Sequence, residues 1–254
     1  MIIEEVKKDT VIDFLKEKKR IDGRSFDEYR PITVEKNVIS TAEGSARVRL
    51  GKTQVLVGVK VDLGVPFKDR QDEGILSVSA EFLPLASPTF EPGPPSEDSI
   101  ELARVVDRGI RSSEGIDLKS LYIEEEKVWG IYVDIYILDH DGNLIDAAAL
   151  ASVAALDGLK IPKYIDGEVI RETSTILNFN PKPASFTYSK IGKDIIADAS
   201  YVEEIARDAR LTIAVTDQHV VALQKSGSGS FTKDEVMNLI DNSFKKRMDL
   251  LSYI

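Results

Sequence analysis

The sequence predicts an α+β fold built as two similar halves, each a mixed sheet with helices packed on it. Three observations carry that expectation. Stretches with period-two alternation recur along the chain, capped helical segments close each run of strands, and a stretch with Asn178, Asn180, Pro181 and Pro183 separates two repeats of this order. The boundary falls near residue 180, giving halves at 1–180 and 181–254.

Residues 10–19 form the first predicted helix, with Val11, Phe14 and Leu15 on one apolar face and Asp13, Lys16 and Lys18 outside it. Asp22-Gly23 breaks it. Strands follow at 32–39, 46–50, 53–63 and 75–82, and Gly51-Lys52 makes a hairpin turn between the second and third. The segment Phe90-Glu91-Pro92-Gly93-Pro94-Pro95 excludes regular structure, because its prolines lack backbone donors. Ser96 stands at a helix N-cap, and Glu97 and Asp98 suit the positive end of the helix dipole. That helix runs to about residue 112, with Gly115 near its stop. A long strand at 127–138 carries the single tryptophan, Trp129, and precedes the turn Asp141-Gly142-Asn143. An alanine-rich helix spans 144–159, and the next thirty or so residues are the least regular. In the second half, strands are expected at 185–190, 193–199, 211–216 and 220–225. Thr232 and Glu235 form a capping box for a final helix that reaches about residue 251.

Composition bounds the function. Hydrophobic residues make up 43% and charged residues 30% of 254, an ordinary globular profile with no apolar run near the ~20 residues a bilayer requires. Met1-Ile2-Ile3-Glu4-Glu5 has no basic start or apolar stretch, so a cytoplasmic protein is expected. Disulfides and thiolate metal sites are excluded by the absence of cysteine, and two histidines argue against a histidine-rich metal site. The net charge of −10 argues against a chain that grips nucleic acid by itself, leaving a local basic stripe or a site shared with a partner.

The helix after the proline loop supplies such a stripe. Arg104, Arg108 and Arg111 stand at i, i+4 and i+7, on one face, while Ile100, Ala103, Val106 and Ile110 make an apolar face for the sheet. Guanidinium donors match phosphate geometry, so a phosphate anion is one reading. A solvated face partly paired to Glu101 and Asp107 is the other. Elsewhere, Asp139-His140-Asp141-Gly142 fails as a calcium loop and reads as a turn. The run Ser226-Gly227-Ser228-Gly229-Ser230 lacks the Walker lysine and reads as a flexible connector. His140 and His219 fall in turns and are expected to be exposed. Asp194, Asp198 and Asp208 are candidate acids, each more simply surface charge.

Several segments together resemble the RNase PH family. Arg20-Ile21-Asp22-Gly23-Arg24 resembles its N-terminal Arg-x-Asp-Gly-Arg motif, and Ala42-Glu43-Gly44-Ser45-Ala46 with Leu50-Gly51-Lys52-Thr53 resembles its first hairpin. The proline loop followed by Ile100-Glu101-Leu102-Ala103-Arg104-Val105-Val106-Asp107-Arg108, and later Leu223-Gln224-Lys225-Ser226-Gly227, look like the non-catalytic RNase PH-type subunits of the archaeal exosome. The resemblance runs from about residue 9 to the last helix. It implies the RNase PH-type (ribosomal protein S5 domain 2-like) fold. It also implies pairing with a catalytic RNase PH-like sister, three such heterodimers closing a ring, RNA-binding caps on one face, and single-stranded RNA threading a central channel. In that family phosphate attacks the 3′-terminal linkage and releases nucleoside diphosphates.

This chain departs from active members. Their Gly-Ser-Arg type loop before the alanine-rich helix binds phosphate; here the place reads Gly142-Asn143-Leu144. Asp208 stands roughly where active members carry an acid, yet it lacks a nucleophile to serve. The resemblance therefore implies a chain with no catalytic residues and no cofactor of its own, inorganic phosphate being bound by the partner, while Arg104, Arg108 and Arg111 hold RNA. Alternatives are a self-sufficient phosphorolytic 3′ exoribonuclease, a purely structural ring spacer, and an unrelated metabolic enzyme on a similar scaffold.

Overall fold

A computed structural model describes residues 2–254. The first sheet contains β1 (Ile32–Lys36), β2 (Gly44–Leu50), β3 (Thr53–Gly64), β4 (Ile75–Phe82), β5 (Tyr122–Glu124) and β6 (Lys127–Asp139). Its order is β1-β2-β3-β6-β4, with the short β5 also paired to β6, and only β4 runs parallel to its neighbour. Alternation decides which face is covered. Val55, Val57, Val59 and Val61 of β3 and Ile131, Val133, Ile135 and Ile137 of β6 are buried, whereas the residues between them are not. Each such side chain contributes roughly 1.5–3 kcal/mol by leaving water.

Two helices cover that face: α2 (Glu97–Ser112) over β4, and α3 (Leu144–Leu156) over β2 and β3. Every α3 residue from Ile145 to Leu156 is buried, because its far side meets α2 and the second sheet. A helix enclosed all round has no polar face, and its alanines allow close approach on each side. The second sheet joins β9 (Ala184–Ile191), β10 (Asp194–Ala197), β11 (Ala209–Val215) and β12 (Val220–Gly227) in the order β10-β9-β11-β12, wholly antiparallel. The last helix, α5 (Lys233–Leu251), packs on β9 and β11. Phe186, Tyr188, Leu211 and Ile213 belong to one core that continues through α3 into the first sheet.

Several elements differ from expectation. The first helix, α1 (Ile2–Lys16), starts earlier and stops sooner, since Lys18 turns into the left-handed region at φ 59°. Val11 and Leu15 are buried against Ile191, Ile196, Ala199 and Ala206, so α1 docks on the second half, and Phe14 stays 39% exposed. The region expected to be irregular holds a hairpin, β7 (Lys160–Ile165) and β8 (Glu168–Ile176). Its turn is Asp166-Gly167, both residues at positive φ, the Asp-Gly pair suited to a two-residue hairpin. A six-residue helix, α4 (Tyr201–Ala206), follows β10 and was not expected. The run at 226–230 is no loose tether: Gly229 N–H donates to the Asp208 carbonyl at 2.9 Å, and a Cβ on Gly227 would come within 2.6 Å of that oxygen. Among the described residues no helix is long and apolar enough to cross a membrane.

Candidate nucleic-acid interface and the cleft beside it

The proline loop delivers the chain to Ser96, whose Oγ accepts from Ser99 N–H at 3.2 Å and starts α2. Leu102, Ala103, Val105, Val106 and Ile110 anchor the helix. Ile100 does not join them; it is 47% exposed, one turn before Arg104. The three arginines differ. The Arg104 side chain is exposed and makes no hydrogen bond among the described residues, and that of Arg108 is exposed with one bond, Nη1 to Gln224 Oε1 at 3.0 Å. Arg111 is half-buried and committed: it donates to both Asp107 oxygens, at 3.1 and 2.7 Å, and to the Leu76 carbonyl at 2.8 Å. Asp107 is thus taken, and Glu101 is taken by Arg210 of β11, at 2.9 Å.

Next to this face, α2, α3 and α4 enclose a cleft between the two sheets, lined by Phe90, His140, Leu144, Tyr201, Glu204 and Arg210 among others. Phe90 stacks on His140 with ring centres 5.4 Å apart, and Tyr201 meets the imidazole edge-on at 5.0 Å. His140 is therefore half-buried rather than exposed; His219 is exposed as expected. Burial holds the His140 pKa below its usual value, against the pull of Glu204 and Asp141. Its Nδ1 accepts from Gly142 N–H at 3.3 Å, the pattern of a neutral ring.

The turn into α3 shapes the cleft floor. Gly142 has φ 89°, and a Cβ there would lie 2.5 Å from the Ala199 carbonyl oxygen, so only glycine lets α4 approach. Asn143 follows in the left-handed region and is buried. Its backbone N–H, at the positive end of α3, donates to Glu204 Oε1 at 3.0 Å. Glu204 also faces Arg207, at 3.4 Å. Hence both arginines of the cleft face acids: Arg207 meets Glu204, which also accepts from the helix end, and Arg210 meets Glu101.

Asp208 does not enter this cleft. It is exposed on the turn before β11, where its carboxylate accepts from Gly192 N–H at 2.7 Å. Asp194 pairs with Lys18 at 2.5 Å. Asp198, far from being surface charge, is fully buried and accepts from Arg24, from Arg30 through its backbone and guanidinium, and from Asn143 Nδ2, all within 2.9 Å. Burial pushes its pKa up, but the bonds and charge of Arg30 outweigh that and hold it below the usual value. Arg20, also buried, makes a bidentate pair with Glu203 at 2.8 and 2.6 Å. The N-terminal Arg-x-Asp-Gly-Arg motif is thereby explained as a clamp on the second half. Glu204 and Arg210 are the cleft residues that sequence reasoning missed. A signal existed: Ser200 and Glu203 form a capping box, which would have announced α4 and put Glu204 in its first turn. Among the described residues no group of three or more histidine and acidic side chains is placed to hold a metal ion.

Residues 28–162 match domain 1, and residues 183–246 domain 2, of the 3′ exoribonuclease family, RNase PH. The chain is 48% identical to the exosome complex component Rrp42 of Methanothermobacter thermautotrophicus, over 100% of this chain and 96% of that protein. It is 49% identical to the component of the same name from Thermococcus gammatolerans, over 96% of this chain and 92% of that one. Among solved structures it is similar to a chain of the Archaeoglobus fulgidus exosome with RNA bound to the active site, with TM-score 0.93 and 47% identity, covering 99% of both chains. A chain of an archaeal exosome core matches with TM-score 0.89 and 44% identity, covering 99% of this chain and 98% of that one.

Proposed function

The chain belongs to the 3′ exoribonuclease (RNase PH) family, and from that premise we propose that it is a non-catalytic subunit of an exosome ring. In this reading it pairs with a catalytic RNase PH-like sister, three such pairs closing the ring beneath RNA-binding caps. The sister holds inorganic phosphate and carries out 3′-to-5′ phosphorolysis. This chain completes the assembly and holds the RNA strand through α2.

The observation that carries the reading is Glu204 at the head of α3. An incoming phosphate would have to displace a carboxylate from the Asn143 N–H, in a cleft where Arg207 and Arg210 already face acids. The Leu144 side chain beside it offers no donor. Catalysis by electrostatic stabilisation requires donors aimed at developing charge, and here the Asn143 N–H, Arg207 and Arg210 already face carboxylates. Arg104 and Arg108 support the RNA-holding role, since both keep an uncompensated charge at the surface of an otherwise acidic chain. Arg111 is neutralised by Asp107 and serves instead to pin α2 to β4.

Reconstitution tests this. A short RNA with phosphate is given to the chain alone, to the chain with its sister, and to that pair carrying Arg104→Ala and Arg108→Ala. The expected result is no product from the chain alone, processive loss of RNA with the pair, and a KM for RNA raised by roughly tenfold or more in the variant. Nucleoside diphosphate from the chain alone would overturn the non-catalytic reading. An unchanged KM would leave a structural spacer.

A further inference from the structure

We infer that Gln224 positions Arg108 for the RNA strand, and that it can do so because its side chain is neutral. The inference rests on the RNA-holding reading of α2 and extends it to a residue of the other half of the molecule.

Gln224 lies on β12, the edge strand of the second sheet, which packs beside α2. Its amide bridges two α2 side chains. Oε1 accepts from Arg108 Nη1 at 3.0 Å, and Nε2 donates to Glu101 Oε1 at 3.3 Å. Glu101 is in turn held by Arg210 Nη2 at 2.9 Å, a pair that is largely buried on the arginine side. The direction of the amide is set by chemistry. Ionised Glu101 can only accept, so the NH2 end must face it, and the carbonyl end is left for Arg108, which can only donate. A chain of fixed groups thus runs from β11 through Glu101 and Gln224 to the exposed guanidinium.

The contrast along the stripe gives this its meaning. Asp107 restrains Arg111 more firmly, through two bonds to a carboxylate that offsets its charge. Gln224 restrains Arg108 with one neutral bond, leaving its charge intact and four of its five N–H donors unspent. A long side chain held in place loses less freedom when a phosphate arrives, and a neutral tether secures that gain without a competing anion. The segment Leu223-Gln224-Lys225-Ser226-Gly227, prominent in the sequence, gains a physical role.

Charge and position can be separated by substitution. Binding of a labelled short RNA to the complex with the catalytic sister is measured in phosphate-free buffer over a range of salt. Arg108→Ala should flatten the log–log salt slope by about 0.7. Gln224→Glu, which places a carboxylate against the guanidinium, should flatten it by a similar amount. Gln224→Leu removes the tether but not the charge, so it should keep the wild-type slope and weaken binding about two- to tenfold. A purely structural role for Gln224 would not distinguish the last two variants, whose assembly is checked by sizing and thermal midpoint. If Arg108→Ala flattens the slope while both Gln224 variants bind like wild type, the tether is refuted and the RNA-holding reading stands. If Arg108→Ala leaves the slope unchanged, that reading falls and the tether with it.

Discussion

Asp198 is the place where a single substitution should do most harm without touching RNA. Its carboxylate is fully buried and compensates two guanidinium groups, those of Arg24 and Arg30, whose side chains are only 9% and 7% exposed. It also holds Asn143 at the start of α3. Asp198→Ala would leave Arg30 with Asp141 at 3.6 Å as its nearest acid and Arg24 with the more open Asp22, and would free the turn that carries the cleft floor. Removing one partner of a buried pair costs about 3–5 kcal/mol, a large part of the ~5–15 kcal/mol that keeps a domain folded. At ~2–4 °C per kcal/mol for a chain of this size, the melting midpoint should fall by roughly 6–20 °C. Urea and thermal unfolding followed by circular dichroism measure both quantities. Asp22→Ala is the control, because Asp22 pairs with the same Arg24 at a more open position and should cost about 1 kcal/mol or less. The pH dependence adds a second check. The folded-state pKa of Asp198 is held below its ordinary 3.8, so its contribution is full above about pH 4 and fades as the pH falls through the folded value. Wild type and Asp198→Ala should therefore converge in acid. A loss below about 1 kcal/mol at neutral pH would refute the claim that this ion cluster fastens the two halves.

Arg111→Ala should lower stability by about 1–2 kcal/mol, through the lost Asp107 and Leu76 bonds, and leave the salt slope of RNA binding unchanged; a flattened slope would show that Arg111 contacts phosphate after all. Gly142→Ala should cost about 2 kcal/mol or more, since the new methyl meets the Ala199 carbonyl at a backbone conformation alanine resists; a neutral effect in urea unfolding would contradict the packing of α4 on the turn. Burial pushes the Asp146 carboxyl up to about 6, its bonds from Thr187, Asn143 and Tyr29 limiting the rise. The folded chain then holds that proton more tightly than the unfolded one, so this group's stabilisation is present below about pH 4 and lost as the pH rises through about 6, by roughly 3 kcal/mol. Asp146→Asn should remove that slope from the stability profile between pH 4 and 7, and an identical profile would refute the assignment.

Local signals recovered most elements. The Ser96 cap, the Gly51-Lys52 turn and the Thr232 capping box each act within four residues, and each marks its element where the structure has it. The hairpin at 160–176 stands before the prolines that mark the stretch as irregular, and Asp166-Gly167 is its readable turn. The arginine stripe was legible as a pattern, because helical spacing depends on sequence alone. Its division into free, tethered and neutralised members was not, because Gln224 and Leu76 reach α2 from strands far away in sequence. The same holds for the acids. Asp194, Asp198 and Asp208 looked equivalent, and only tertiary contacts with Lys18, Arg30 and Gly192 separate an ion pair, a buried clamp and an exposed cap.

The distribution of charge ties these observations together. With a net charge of −10, the chain repels RNA as a whole, so a grip has to come from cations that have no local acid to answer. In the cleft every arginine has such an acid: Arg207 meets Glu204, and Arg210 meets Glu101. One helical turn further along the surface the pattern changes. Asp107 is used by Arg111, Glu101 by Arg210, and the amide of Gln224 stands where a carboxylate would have cancelled Arg108. On the proposed reading, the same set of acids disfavours anions in the cleft and leaves Arg104 and Arg108 without a paired acid. Glu101 is the hinge of this arrangement, because its carboxylate both neutralises Arg210 and orients Gln224. Glu101→Gln should therefore disturb the two places in opposite senses, releasing a positive charge into the cleft while loosening Arg108 at the surface. Binding of inorganic phosphate to the chain should strengthen as RNA affinity of the complex weakens. Equal movement of both in one direction would show that the cleft and the arginine face are not linked through Glu101.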